Sequence, residues 1–70
     1  MENFTGYDGS QYHIGSRVEL HPGTDLWMRG ARYGVVIGSS ITERDRVKIQ
    51  LDKLPNRKFS CSEDQLRAIS

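Results

Sequence analysis

Two stretches of the chain, residues 16–21 and 45–52, alternate regularly between hydrophobic and polar residues. Because successive side chains of a β-strand point to opposite faces, this spacing predicts two strands that each have one apolar face. The residues predicted to point inward are Val18, Leu20, Val47, Ile49 and Leu51, and those predicted to face solvent include Arg17, Glu19 and His21.

Three further strands are predicted from composition and from the turns that bound them. Tyr33–Gly38 is apolar on both faces, so its pattern does not show which side packs inward. Lys58–Cys61 follows a turn that contains Pro55. Leu66–Ile69 follows Ser62-Glu63-Asp64-Gln65, which fits a capping box and predicts a single helical turn before the last strand.

A long loop, Pro22–Arg32, separates the first two strands. Proline lacks an N–H for the strand ladder, so Pro22 ends the first strand. Thr24 is placed to cap a short helical turn over Asp25–Met28, and Gly30 allows a left-handed exit from that turn.

Five short strands with a helical turn before the last predict an all-β domain. Three of its motifs are Gly15-Ser16-Arg17-Val18-Glu19-Leu20, Gly34-Val35-Val36 and Arg46-Val47-Lys48-Ile49. These motifs resemble those of KOW-type and related SH3-like barrels. The resemblance implies a small five-stranded SH3-like barrel with a long loop between its first two strands and a short helical turn before the last strand.

The same barrel spacing resembles photosystem I accessory subunit IV, a family with a Trp-bearing loop between a Gly-Ser-basic-Val opening and a Gly-x-Val strand. Here Gly15–Val18, Trp27 and Gly34–Val36 occupy those places. The segment His21–Gly34 also resembles small bacterial and phage proteins of unknown activity.

Residues 1–13 are predicted to form a flexible N-terminal arm, and residues 14–70 the barrel domain. Gly6 and Gly9 disfavour regular structure in the arm. One interpretation is that Tyr12 and Ile14 enter the barrel while the rest frays. The alternative is that Phe4 and Tyr7 dock on a partner or on a second copy.

The net charge of +1 and the single cysteine, Cys61, favour a cytoplasmic protein without an internal disulfide. No apolar run is long enough to cross a membrane, and no signal peptide is recognised at the N-terminus, so no membrane partner is expected.

Residues suited to metal binding or catalysis are few. His13, His21 and Cys61 lack metal-ligand spacing, and no nucleophile, base and orienting group are paired in sequence. We therefore expect no metal, no cofactor and no catalytic residue, and predict a protein that is not an enzyme.

The predicted binding site is the loop that carries the only tryptophan. Tryptophan and arginine are enriched at interface hot spots, which favours a small binding module or accessory subunit that contacts a protein partner or forms a homo-oligomer. Whether the tryptophan plugs the barrel or projects as an anchor stays open at this point. The site residues are Trp27, Met28, Arg29, Arg32 and Tyr33.

The alternative function is nucleic-acid binding, because basic residues are concentrated between residues 29 and 48. A basic surface near aromatic side chains is typical of proteins that bind phosphate backbones and stack on bases. The residues proposed for these contacts are Arg29, Arg32, Arg44, Arg46 and Lys48.

Overall fold

The computed structural model describes residues 3–39 and 46–69, and it is dominated by short antiparallel strands. Its elements in chain order are β1 (Phe4–Thr5), β2 (Gln11–Tyr12), β3 (Arg17–Leu20), α1 (Asp25–Met28), β4 (Tyr33–Ser39), β5 (Arg46–Leu51), β6 (Lys58–Ser62), a 3₁₀ turn (Glu63–Gln65) and β7 (Leu66–Ala68).

The five predicted strands form one antiparallel sheet in the order β6-β5-β4-β3-β7. The structure is mostly β, as predicted, with the short helix α1 after β3 and a 3₁₀ turn before the last strand. Within the described part of the chain, the outer strands β6 and β7 are not paired with each other, so a closed barrel is not found.

One face of the sheet carries the hydrophobic core, as the alternating pattern predicted. These side chains are almost completely removed from water, and burial of each contributes roughly 1.5–3 kcal/mol. The buried residues of the sheet include Val18, Leu20, Val36, Val47, Ile49, Leu51 and Leu66.

A change of register in β4 determines which of its apolar residues face the core. Val36 pairs with Ile49 while Gly38 pairs with Lys48, so Ile37 is the extra residue of a bulge. Gly34 lies so close to β5 that a Cβ there would be 2.6 Å from the Gln50 carbonyl oxygen. Val36 consequently faces the core, whereas Val35 and Ile37 are only half-buried.

The N-terminal segment packs differently from its prediction. Tyr12 is buried as expected, but Ile14 is 52% exposed, and Phe4, which was expected to fray, is only 2% exposed. The Phe4 and Tyr12 rings stack with centroids 5.6 Å apart, and the Tyr12 hydroxyl donates to the Glu63 carbonyl oxygen over 2.7 Å. Part of the predicted arm therefore belongs to the core, because β1 pairs with β2 and turns Phe4 inward.

The segment between β1 and β2 also covers the outer edge of β7. The Tyr7 N–H donates to the Leu66 carbonyl oxygen over 3.0 Å, and the Ala68 N–H donates to the Ser10 hydroxyl over 2.9 Å. Unpaired edge groups invite association with other chains, so these bonds protect β7 from such pairing.

A second prediction is wrong, because Glu19 was expected to face solvent but is only 8% exposed. Strand parity does place it on the outer face of β3, but Arg67 lies directly opposite on β7 and forms an ion pair with it. Asp8 lies 4.0 Å from the same guanidinium. The side chain of Arg67 thus shields the carboxylate from water and neutralises its charge.

Candidate functional site

The long loop is held in one conformation by its own hydrogen bonds. The Thr24 hydroxyl accepts the Trp27 N–H over 3.2 Å, which confirms the predicted cap of the short helix α1. Gly30 then adopts φ of +91°, and the Ala31 N–H donates to the Leu26 carbonyl oxygen over 2.9 Å. This left-handed step, which glycine tolerates best, reverses the chain and buries Ala31.

The side chain of Trp27 is partly buried and packs against the core together with Leu26. The Arg32 guanidinium lies over the indole, 4.7 Å from the ring centroid, within the range of a cation–π contact. The tryptophan is therefore held both by the core and by an arginine of its own loop. Its role as a binding anchor stays a prediction.

The other predicted residues of this loop are exposed. Met28 is 76% exposed and Tyr33 is 43% exposed, which is high for large apolar side chains. Arg29 is also exposed. The structure thus places an exposed thioether and an exposed phenol around the Trp27–Arg32 stack.

A cleft of about 400 Å³ adjoins the loop at the start of β4. Its lining comprises Gly30, Arg32, Tyr33, Asp52 and Lys53. The Asp52 N–H donates to the Tyr33 carbonyl oxygen over 3.1 Å, which holds the β5–β6 turn against this end of β4. The Asp52 carboxylate is paired with Arg17, its Oδ2 lying 2.7 Å from Nη2.

Asp52 and Lys53 were missed by the sequence analysis, because nothing local marks them as neighbours of the Trp27 loop. They lie about 20 residues further along the chain, and only the register of β4 against β5 brings them alongside. A signal did exist: if Tyr33 begins one strand and Leu51 ends its antiparallel neighbour, the residues after Leu51 must lie beside Tyr33.

The residues proposed for nucleic-acid contacts are divided between the loop, which holds Arg29 and Arg32, and strand β5, which holds Arg46 and Lys48. Arg46 begins β5, and Lys48 is exposed two residues later, whereas the cleft adjoins the other end of the strand. Six residues of strand separate Arg46 from Asp52 by about 20 Å. Arg46 also donates from Nε to the Ser60 hydroxyl over 3.3 Å. Arg44 lies outside the described residues.

The residues considered for metal binding or nucleophilic chemistry serve other contacts. His21 Nδ1 accepts the Gly23 N–H over 2.9 Å, and the Tyr7 ring packs edge-on against the imidazole. Cys61 is buried, and burial raises the pKa of its thiol, although Arg46 acts in the opposite direction. Across residues 3–39 and 46–69, no three His, Cys, Asp or Glu side chains gather as a ligand set.

Comparison of the chain with protein families, curated proteins and solved structures finds no match in any of the three. Among the described residues there is also no helix that is long and apolar enough to cross a membrane.

Proposed function

We propose that this protein is a non-enzymatic binding module of the SH3-like type that contacts a protein partner through the Trp27 loop. The Trp27 loop is defined here as Trp27, Met28, Arg29, Arg32 and Tyr33. The proposal includes a cytoplasmic location, for which the single cysteine is the argument.

The SH3-like assignment is supported by the order of the elements. Strands β3 to β7 follow one another with a long loop after β3, a short connection between β5 and β6 and a 3₁₀ turn between β6 and β7. The last strand then returns to pair with the first strand of the sheet, β3. That order is the one expected for a small SH3-like barrel, and such barrels act mostly through their loops.

The observation that best supports the proposed function is that the exposed side chain of Met28 lies next in the chain to the ordered ring of Trp27. Met28 is 76% exposed, and it follows Trp27, which the core and Arg32 hold in place. A side chain that is already ordered loses little conformational entropy on binding, so such residues make efficient anchors. The flexible side chain of Met28, next to Trp27, adapts to irregular apolar surfaces.

Nucleic-acid binding is the less favoured function because the basic residues are split between two ends of β5. A phosphate backbone is best followed by a continuous positive stripe. Here Arg32 borders the cleft, while Lys48 and Arg46 lie roughly 13 and 20 Å from Asp52 along β5. This function predicts affinity that falls steeply with salt.

Affinity capture from host extract with quantitative mass spectrometry tests the proposed function. We expect proteins that bind the wild type to be lost with Met28→Ser and retained with Ile14→Ser, since both substitutions remove an exposed apolar side chain. Ile14 precedes β3, at the opposite end of that strand from the loop. Equal capture by all three forms, or recovery of nucleic acid in place of protein, would contradict the proposal.

A further inference from the structure

We propose that the cleft beside the Trp27 loop binds the carboxylate side chain of an acidic peptide segment whose neighbouring apolar residue packs on Met28 and Trp27. This inference rests on the proposed function and adds the chemistry of the partner. It follows from the charges that line the cleft and from the surface that borders it.

The cleft contains more positive charge than the protein itself neutralises. Its lining includes two cations, Arg32 and Lys53, and one anion, Asp52. The Asp52 carboxylate is already engaged by Arg17, with both oxygens accepting from the guanidinium over 2.7 and 3.2 Å. Among the described residues no carboxylate lies within 4.0 Å of Arg32 or Lys53. Within the described part of the chain, Arg32 and Lys53 therefore have no partner anion.

The position of Lys53 ties this charge to the Trp27 loop. A methyl group built on Gly30 would lie 3.2 Å from the Lys53 ammonium, so that ammonium already lies against the backbone of the loop. Arg32 joins the two regions because it lines the cleft while its guanidinium covers the indole of Trp27. A carboxylate between these cations would sit next to the apolar surface of the loop.

The surroundings of the cleft favour a peptide over a phosphate backbone. Among the described residues, the two cations of the cleft have no partner carboxylate. The lining includes the exposed ring of Tyr33, and the loop that contributes Gly30 and Arg32 also carries the exposed side chain of Met28. A nucleic acid requires several cations in series to release counterions, and the next basic residues on β5 are too distant to continue the series. One carboxylate beside one aliphatic side chain matches both the charge and these exposed side chains.

The test uses two matched peptides titrated into nitrogen-15-labelled protein and followed by backbone amide shifts. The peptides are acetyl-Leu-Glu-Glu-Leu-amide and acetyl-Leu-Gln-Gln-Leu-amide, which differ only in charge. We expect shifts at Gly30, Tyr33 and Lys53, and a dissociation constant for the acidic peptide that is about 1.5- to fivefold lower, the range for exposed ion pairs.

Two variants with the same charge change separate a local effect from a general one. Lys53→Gln removes one of the two cations of the cleft and is expected to weaken the preference for the acidic peptide. Lys48→Gln, on an exposed residue remote from the cleft, is expected to leave it unchanged. An equal weakening in both variants, or a weakening in neither, would overturn the proposal because the cleft would not be what distinguishes the two peptides.

The remaining outcomes distinguish this inference from the proposed function. Equal affinity of both peptides for the loop overturns the acidic preference and leaves the proposed function intact. No shift of the loop amides by either peptide overturns the inference, while the capture comparison of Met28→Ser with Ile14→Ser decides the proposed function separately. A short single-stranded oligonucleotide that shifts the cleft amides more strongly than the acidic peptide assigns the cleft to phosphate and overturns the inference.

Discussion

Replacing Phe4 with alanine tests whether the N-terminal segment is part of the hydrophobic core. Phe4 is 2% exposed and stacks on Tyr12, so truncation removes the ring and leaves the face of Tyr12 without a partner. Comparable Phe→Ala changes in cores cost about 3–5 kcal/mol. At 0.05–0.15 kcal/mol per residue, a domain of this size has a total stability of only about 4–10 kcal/mol.

Urea unfolding measures this loss, with the fluorescence of Trp27, the only tryptophan, as one probe and far-UV circular dichroism as the other. A small domain has a urea slope of about 1–1.5 kcal/mol per molar, so the midpoint should fall by roughly 2–5 M. A protein at the lower end of the stability range would be unfolded without urea. Coincidence of the two probes checks that unfolding is two-state.

Ile14→Ala is the control for Phe4→Ala. Ile14 is 52% exposed, and its truncation should change stability by no more than about 0.5 kcal/mol. If Phe4→Ala costs less than about 1 kcal/mol, the first strand does not belong to the core, and our description of the N-terminal segment is wrong.

Three other substitutions test separate parts of the structure. Tyr12→Phe removes the bond to the Glu63 carbonyl and should cost about 1 kcal/mol at pH 8. Burial, aided by Glu63, raises the pKa of Tyr12 in the folded protein. The unfolded chain therefore loses this proton first, and the wild type should lose stability as pH rises above about 10. Between pH 8 and pH 11, the urea midpoint should fall less for Tyr12→Phe than for the wild type. Arg67→Ala leaves the Glu19 carboxylate buried without its partner and should cost about 1–3 kcal/mol in urea unfolding. Arg29→Ala, which truncates an exposed arginine, should cost almost nothing. Thr24→Ala removes the cap of α1 and should cost about 0.5–2 kcal/mol by the same assay, with Thr24→Ser restoring most of it; equal stability of all three forms would contradict the role of the cap.

The strands and the turn in the long loop were predictable because their signals are local. Val47, Ile49 and Leu51 recur with the period of a strand, and Thr24 precedes a turn that it is suited to cap. Register was not predictable in β4, where apolar residues occur on both faces. The bulge at Ile37 depends on how β5 pairs with it, and that information is not carried by either strand alone.

The N-terminal segment and the cleft show what local signals omit. Glycines around Tyr7 suggested a loose arm, but burial of Phe4 against Tyr12 overrides local propensity. Glu19 was assigned to solvent by parity, and only its pairing with Arg67 explains its burial. Lys53 joins the site through the β4–β5 pairing, a contact that the spacing of residues within the loop cannot reveal.

The central claim is that the Trp27 loop is the surface at which this protein meets its partner. The most direct measurement is an amide-shift footprint of labelled protein with the partner protein recovered by affinity capture. We predict the largest shifts within residues 26–33 and 52–53, with the Trp27 indole N–H among them. A footprint centred on Arg46 and Lys48, or on residues 3–12, with the loop unchanged, would contradict the claim.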